Sequence, residues 1–245
     1  MEKVGERILS KMFLWIEDRK GKAGYRFWEN FMKHLCPEMI VESKKNNSEL
    51  VKAVKALQDT ENKYIIVFDN SFDNLQIVME QKRLKKYVNE RDNVFLIDII
   101  CFEYILLEFK GLIDWIYAPK DEFLEKRAGA IAARKKLVSS IQKGNFHYKE
   151  IQEIMEYDSR IEEHNIEQLV AKLLFDLTRN TGFEVEKGLL GECWTKSCCE
   201  WEERQENDIC GLDHNRLSVF DKMKNIYEES SLKEQFLKIG LEVLA

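Results

Sequence analysis

Prolines are scarce in this chain of 245 residues, where only Pro37 and Pro119 occur, and no apolar stretch reaches membrane-spanning length. A bilayer helix needs roughly 18 or more consecutive apolar residues, and the N-terminal run MEKVGERILSK is too charged for a secretory leader. A cytoplasmic protein without a membrane span is expected. Positive charge is short as well. A formal charge of -6 and a pI near 5.5 argue against binding nucleic acid by bulk charge, so any basic face must be local. Neither a G-x-G-x-x-G nor a Walker lysine loop follows any apolar run, and Gly21-Lys22-Ala23-Gly24 is too short for either. This weakens a flavodoxin-like or Rossmann-like nucleotide-binding reading. There is no internal repeat and no low-complexity segment.

What is present suffices for a substantial core, with 44% hydrophobic and 33% charged residues. The six cysteines, in a chain expected to be cytoplasmic, are read as thiols rather than a disulfide framework.

Apolar runs and helical periodicities alternate through the first half. MFLWI at 12–16 is a buried strand that stops at Glu17 and Asp18, before a polar loop at 19–24. Phe27, Trp28, Phe31, Met32 and Leu35 then recur at helical spacing until Pro37. MIVE at 39–42 is a second strand, and Leu50, Val51, Val54 and Leu57 mark a helix capped by Asn47 or Ser48. YIIVF at 64–68 lacks alternation, as a strand covered on both faces would, and ends at Asp69. A helix over about 75–88 and a fourth strand, VFLID at 94–98, lead into the buried helix CFEYILLEF. Strands separated by helices imply a parallel, doubly wound α/β sheet.

Beyond Pro119 the chain reads as helical, so an α/β domain over 1–118 and a helical region over 119–245 are expected. Residues 120–143 carry seven basic against three acidic side chains. Within them Lys126, Arg127, Arg134, Lys135 and Lys136 are the candidates for holding a nucleic-acid backbone, against the common alternative of a solvated face. Ile166, Leu169, Val170, Leu173, Leu174 and Leu177 form an amphipathic helix with Asn165 as N-cap. Two further helices are expected over 217–227 and 231–244, the last opened by a Ser231/Glu234 capping box. Cys193, Cys198, Cys210 and His214 are zinc-compatible donors, but their spacing does not match a standard knuckle, and buried thiols are the default. His147, in a loop between helices, is assigned no chemical part.

In a parallel sheet, ligands bind beyond the carboxyl ends of the strands, so acids at those ends are informative. Glu17 ends the first strand, Asp69 the third with Asp73 close behind, and Asp98 and Glu103 flank the end of the fourth. Crowded carboxylates call for a compensating cation, and Mg²⁺ suits such donors together with phosphate oxygens. Each acid also has a plainer reading: Asp73 as a helix cap, Glu103 paired with a lysine, Asp98 as structural.

The order MFLWIED, YRFWENF, YIIVFDNSFD resembles the Toprim domain of topoisomerases, primases and the overcoming-lysogenisation-defect nucleases. LIDIICFEYILLEF is similar to the strand and acidic helix of Toprim-like anti-phage effectors, some of which act beside an ATPase. The resemblance spans about residues 12–115. It implies a Mg²⁺- or Mn²⁺-dependent nuclease cleaving DNA or RNA, with Glu17 catalytic or metal-linked, Asp69 the first metal-binding aspartate, Glu103 a second metal ligand, and Asp73 a further catalytic and metal ligand where a looser loop delivers it. A homo-oligomer is compatible with it. The usual Asp-x-Asp is replaced by Asp69-Asn70-Ser71, which keeps open a non-cleaving module that binds a regulatory protein through its helical half.

Overall fold

The computed structural model of the chain describes residues 10–118, 122–144, 150, 153–154, 165–186, 188–199 and 210–243. Pro119, His147 and residues 1–9 of the N-terminal run lie outside them. Four strands, β1 (Met12–Ile16), β2 (Met39–Ser43), β3 (Lys63–Asp69) and β4 (Val94–Ile99), form one parallel sheet in the order β2-β1-β3-β4. The connecting helices are α1 (Ala23–Leu35), α2 (Asn47–Ala56) and α3 (Leu75–Asn89). The four strands and three crossovers stand where the hydrophobic pattern puts them, with ends shifted by a residue or two. The α/β class with a helix-flanked, Rossmann-like parallel sheet is the observed architecture.

Alternation along the central strands divides the core in two. Trp15, Tyr64, Ile66 and Phe68 face Leu50, Val51, Val54 and Leu84 of α2 and α3. Leu14, Ile16, Ile65 and Val67 face the other way, against α1, α4 (Phe102–Glu108) and helices from the C-terminal half. That second core runs without a break from Leu14 to Val243. Each large side chain fully withdrawn there, such as Trp28, Phe31 or Phe236, contributes about 2–3 kcal/mol.

After α4 the described chain continues through α5 (Leu112–Ile116), α6 (Glu122–Lys126), α7 (Ala128–Gln142) and α8 (Ile166–Thr178). A two-residue ladder, β5 (Val185–Glu186) with β6 (Leu189–Leu190), follows, then α9 (Glu192–Thr195), a 3-10 turn at Gly211–His214, α10 (Val219–Glu228) and α11 (Leu232–Lys238). The small ladder departs from the expected all-helical region. So does α11, which is seven residues long and ends before Gly240, where φ is +68°. Ser231 caps nothing there: its backbone N–H and hydroxyl both donate to the buried Glu108 carboxylate, tying α11 to α4. Asn46, one residue ahead of the expected cap, accepts from Glu49 N–H and opens α2.

The basic segment is put to a different use from the one its charge suggests. Arg127 is 5% exposed, and its guanidinium donates to the Leu177 and Arg179 carbonyls at 2.6 and 2.5 Å, closing the C-terminus of α8. Arg134 donates to the Leu107 and Phe109 carbonyls at 2.6 and 2.7 Å, closing α4 in the same way. A cation at a helix C-terminus satisfies orphan carbonyls and complements the dipole. Lys136 pairs with Glu153, while Lys126 and Lys135 are exposed. Two of the five candidate phosphate contacts are therefore turned inward. Arg127→Met is expected to lower stability by about 2–4 kcal/mol in urea denaturation, because the carbonyls it serves would lose a charged donor.

Candidate active site

The chain leaves β1 through α1 toward one edge of the sheet and later returns to place β3 on the other side of β1. The carboxyl ends of β1 and β3 thus form a topological switch point, where a parallel sheet opens a crevice. Glu17 is the first residue beyond β1 and Asp69 the last of β3. The two acids, more than 50 residues apart in sequence, are joined there by a side-chain hydrogen bond. One shared proton accounts for such a contact between two carboxyl groups.

They line a cavity of about 460 Å³ together with Asp18, Glu103 and Glu167. Local structure explains each position. Glu17 also takes a backbone hydrogen bond from Asn47, the first residue of α2, while the Asn47 side chain donates to the Asp69 carbonyl at 3.4 Å. Glu103 sits in the first turn of α4, held by its own N–H and the Cys101 thiol. Gly24, in the first turn of α1, leaves room for Asp18. A Cβ there would fall on the Asp18 carboxylate and within 2.9 Å of the Phe102 ring. Gly24→Ala is accordingly expected to cost about 1–3 kcal/mol, read as a lower denaturation midpoint, and to displace Asp18 from the cavity.

Electrostatics in this cavity are one-sided. Burial and the neighbouring Asp18 push Glu17 up to about 7, burial and Glu167 raise Asp18 to about 6, and burial drives Glu103 to about 8. Asp69, 8% exposed, is held well above the carboxylate range by burial and by Glu17, Asp18, Glu103 and Glu167. Among the described residues no lysine or arginine pairs with any of the five.

Of the acids singled out by sequence, the cavity brings Glu17, Asp69 and Glu103 together. Asp73 is not among its walls: its Oδ2 accepts the Ile166 N–H at 2.8 Å and caps α8, while Asn74 caps α3. Asp98 accepts from Asn70, Gln81 and Lys85 at 2.8–3.0 Å and is a satisfied structural acid. Two cavity acids were not singled out as candidates. Asp18 stood in the Glu17-Asp18 doublet but reads as loop polarity. Glu167 arrives on α8 from the C-terminal half and approaches Ser71 Oγ at 3.4 Å. Nothing local in the sequence marks that approach.

The donors are hard carboxyl oxygens, partly desolvated and, among the described residues, without a cationic partner, which is the chemistry a divalent ion such as Mg²⁺ takes once their protons are shed. Among the described residues, however, no three His, Cys, Asp or Glu side chains are already gathered as a metal-holding group. Ion binding would have to draw the mutually repelling carboxylates inward. The same holds for the thiol segment. Cys193, Cys198 and Cys210 are in no disulfide among the described residues, and burial raises Cys193 to about 11. Cys198 Sγ accepts the Leu217 N–H at 3.3 Å, and the His214 side chain lies outside the described atoms. That segment is held instead by protein contacts, with the buried Lys222 donating to the Cys193 and Lys196 carbonyls at 2.9 and 2.8 Å.

No helix among the described residues is long and apolar enough to cross a membrane. Comparison with protein-family models, curated proteins and solved structures finds no match.

Proposed function

We propose that the chain is a Toprim-like, divalent-metal-dependent nuclease that hydrolyses nucleic-acid phosphodiester bonds, an effector of prokaryotic anti-phage defence. The observation that carries the reading is the Glu17–Asp69 carboxyl pair at the switch point of the sheet, surrounded by three further acids and, among the described residues, no lysine or arginine in the cavity lining. Glu17, Asp69, Glu103 and Glu167 are the residues that would hold Mg²⁺ or Mn²⁺. When bound, the ion supplies neutralisation of phosphate charge and a more acidic water. The chain's own contributions follow from the cavity. Glu17 and Asp69 give up their shared proton to become donors, Gly24 and Ala23 leave space at the cavity wall, and the N-terminus of α8 adds Glu167. The defence context, and action beside an ATPase partner, rest on the resemblance alone.

The assay is cleavage of single- and double-stranded DNA and of RNA with Mg²⁺ or Mn²⁺. Cleavage that stops on chelation and is lost in Glu17→Gln and Asp69→Asn supports the reading; equal cleavage by both variants contradicts it.

A second reading is favoured by one feature. Ser71 stands where the Toprim pattern has its second aspartate, and Asp73, the next acid, is spent on capping α8. This suits a non-cleaving module that works through a protein partner. It predicts no metal-linked activity, with partner binding intact in Glu17→Gln and Asp69→Asn.

A further inference from the structure

A second cavity opens further along α1. At about 520 Å³ it is lined by Arg26, Glu29, Asn30 and Lys33 on the helix, with Pro37, Met39 and Val41 toward the edge strand β2 and Thr195 from α9. Ala23 and Gly24, at the N-terminus of the same helix, line the acidic cavity. One helix therefore serves both, with the acids at its start and the second cavity beyond.

Five basic residues follow this path. Arg19, Lys20 and Lys22 are exposed in the loop between β1 and α1, and Arg26 and Lys33 continue the series into the cavity. Among the described residues none of these five forms an ion pair. The acids nearby include Glu29, which is hydrogen-bonded to Tyr25, and Glu192, which Lys196 engages and whose carboxyl Lys196 and Arg26 together hold below its ordinary value. Asn30 adds an amide nitrogen that is buried without an acceptor. An orphan donor of this kind is costly to bury and is satisfied by an oxygen-rich ligand.

We infer that the β1–α1 loop and the outer face of α1 form the groove that holds the phosphodiester backbone of a nucleic-acid strand, with Arg26 and Lys33 as its central phosphate contacts. The assignment rests on the nuclease reading for the identity of the strand, and it moves the backbone contact away from the α7 segment. Cations without an ion-pair partner in a run beside a cleft attract a polyanion without reading its sequence. The start of the same helix lines the acidic cavity, so a strand held along α1 runs toward the carboxylates.

The test is binding of a fluorescent single-stranded oligonucleotide to the full chain in EDTA, where no cleavage occurs, as salt is varied. Arg26→Gln with Lys33→Gln should weaken binding about tenfold or more and lower the slope of log affinity against log salt by about 1.4, at about 0.7 per phosphate contact. Lys135→Gln with Lys136→Gln should leave both unchanged. Unchanged affinity and slope in a folded Arg26→Gln/Lys33→Gln protein, checked by circular dichroism, overturns the groove. Displacement of the strand by inorganic phosphate at matched ionic strength, or equal binding of an acidic peptide, also overturns it. Because binding is read without metal, a groove that binds in a protein that never cleaves separates this inference from the failure of the nuclease reading.

Discussion

Replacing Asp69 with Asn should remove metal-dependent cleavage by about a thousandfold or more, while the ion-free protein becomes no less stable. The two effects have one cause. Asp69 is almost wholly buried, its side-chain partner is another acid, and four carboxylates raise its proton affinity. An amide of the same shape keeps the packing and removes the repulsion, so folding without metal gains or is unchanged. The same substitution deletes the donor that most needs a cation, and the chemistry depends on that donor. Glu17→Gln should behave alike. Glu167→Gln, at the exposed side of the cavity, should cost less activity, about tenfold, and Asp73→Ala should lose about 1 kcal/mol of stability from the α8 cap without touching the chemical step. Cleavage rates and urea midpoints for the four variants decide the pattern.

A second large effect is expected in the pH dependence of stability with chelator present. Burial holds Glu103 at about 8 and Glu17 at about 7, above an unfolded carboxyl near 4.3. A group that binds its proton more tightly when folded adds stability below its unfolded value and loses it as pH rises through its folded value. Stability from these groups is therefore full near pH 4 and falls between about pH 4 and pH 8, by several kcal/mol in all. Glu103→Gln should flatten that decline, since it remains neutral throughout. Saturating Mg²⁺ should restore stability at the alkaline end, where the carboxylates are free to bind it. A wild type and a Glu103→Gln variant with parallel curves across this range would speak against an uncompensated cavity.

The parts of this fold that depend on local pattern were readable from the residues. MFLWI and YIIVF are unbroken apolar runs ended by acids, and a parallel sheet leaves few other places for Glu17 and Asp69 than one rim. The rest depends on tertiary partners. Glu167 reads as an ordinary first-turn acid of α8 until α8 is docked, and only docking sets it against Ser71. Arg127 and Arg134 read as displayed charge, because sequence does not reveal which carbonyls lie within reach of a long side chain. Asp73 was balanced between a cap and a ligand, and the helix it caps comes from residues more than 90 positions away. Ser231 carried a good capping-box signature, but the buried Glu108 carboxylate took its donors instead. In each case a local rule lost to a stronger long-range hydrogen bond.

The most direct measurement is calorimetric titration of the intact chain with Mn²⁺ near neutral pH in two buffers of different ionisation enthalpy. Raised carboxyl groups must shed protons to become donors, so binding should be accompanied by proton release, and both should vanish in Asp69→Asn. Binding that persists in the variant, or no binding by the wild type at millimolar ion, would contradict a cation site between the ends of β1 and β3.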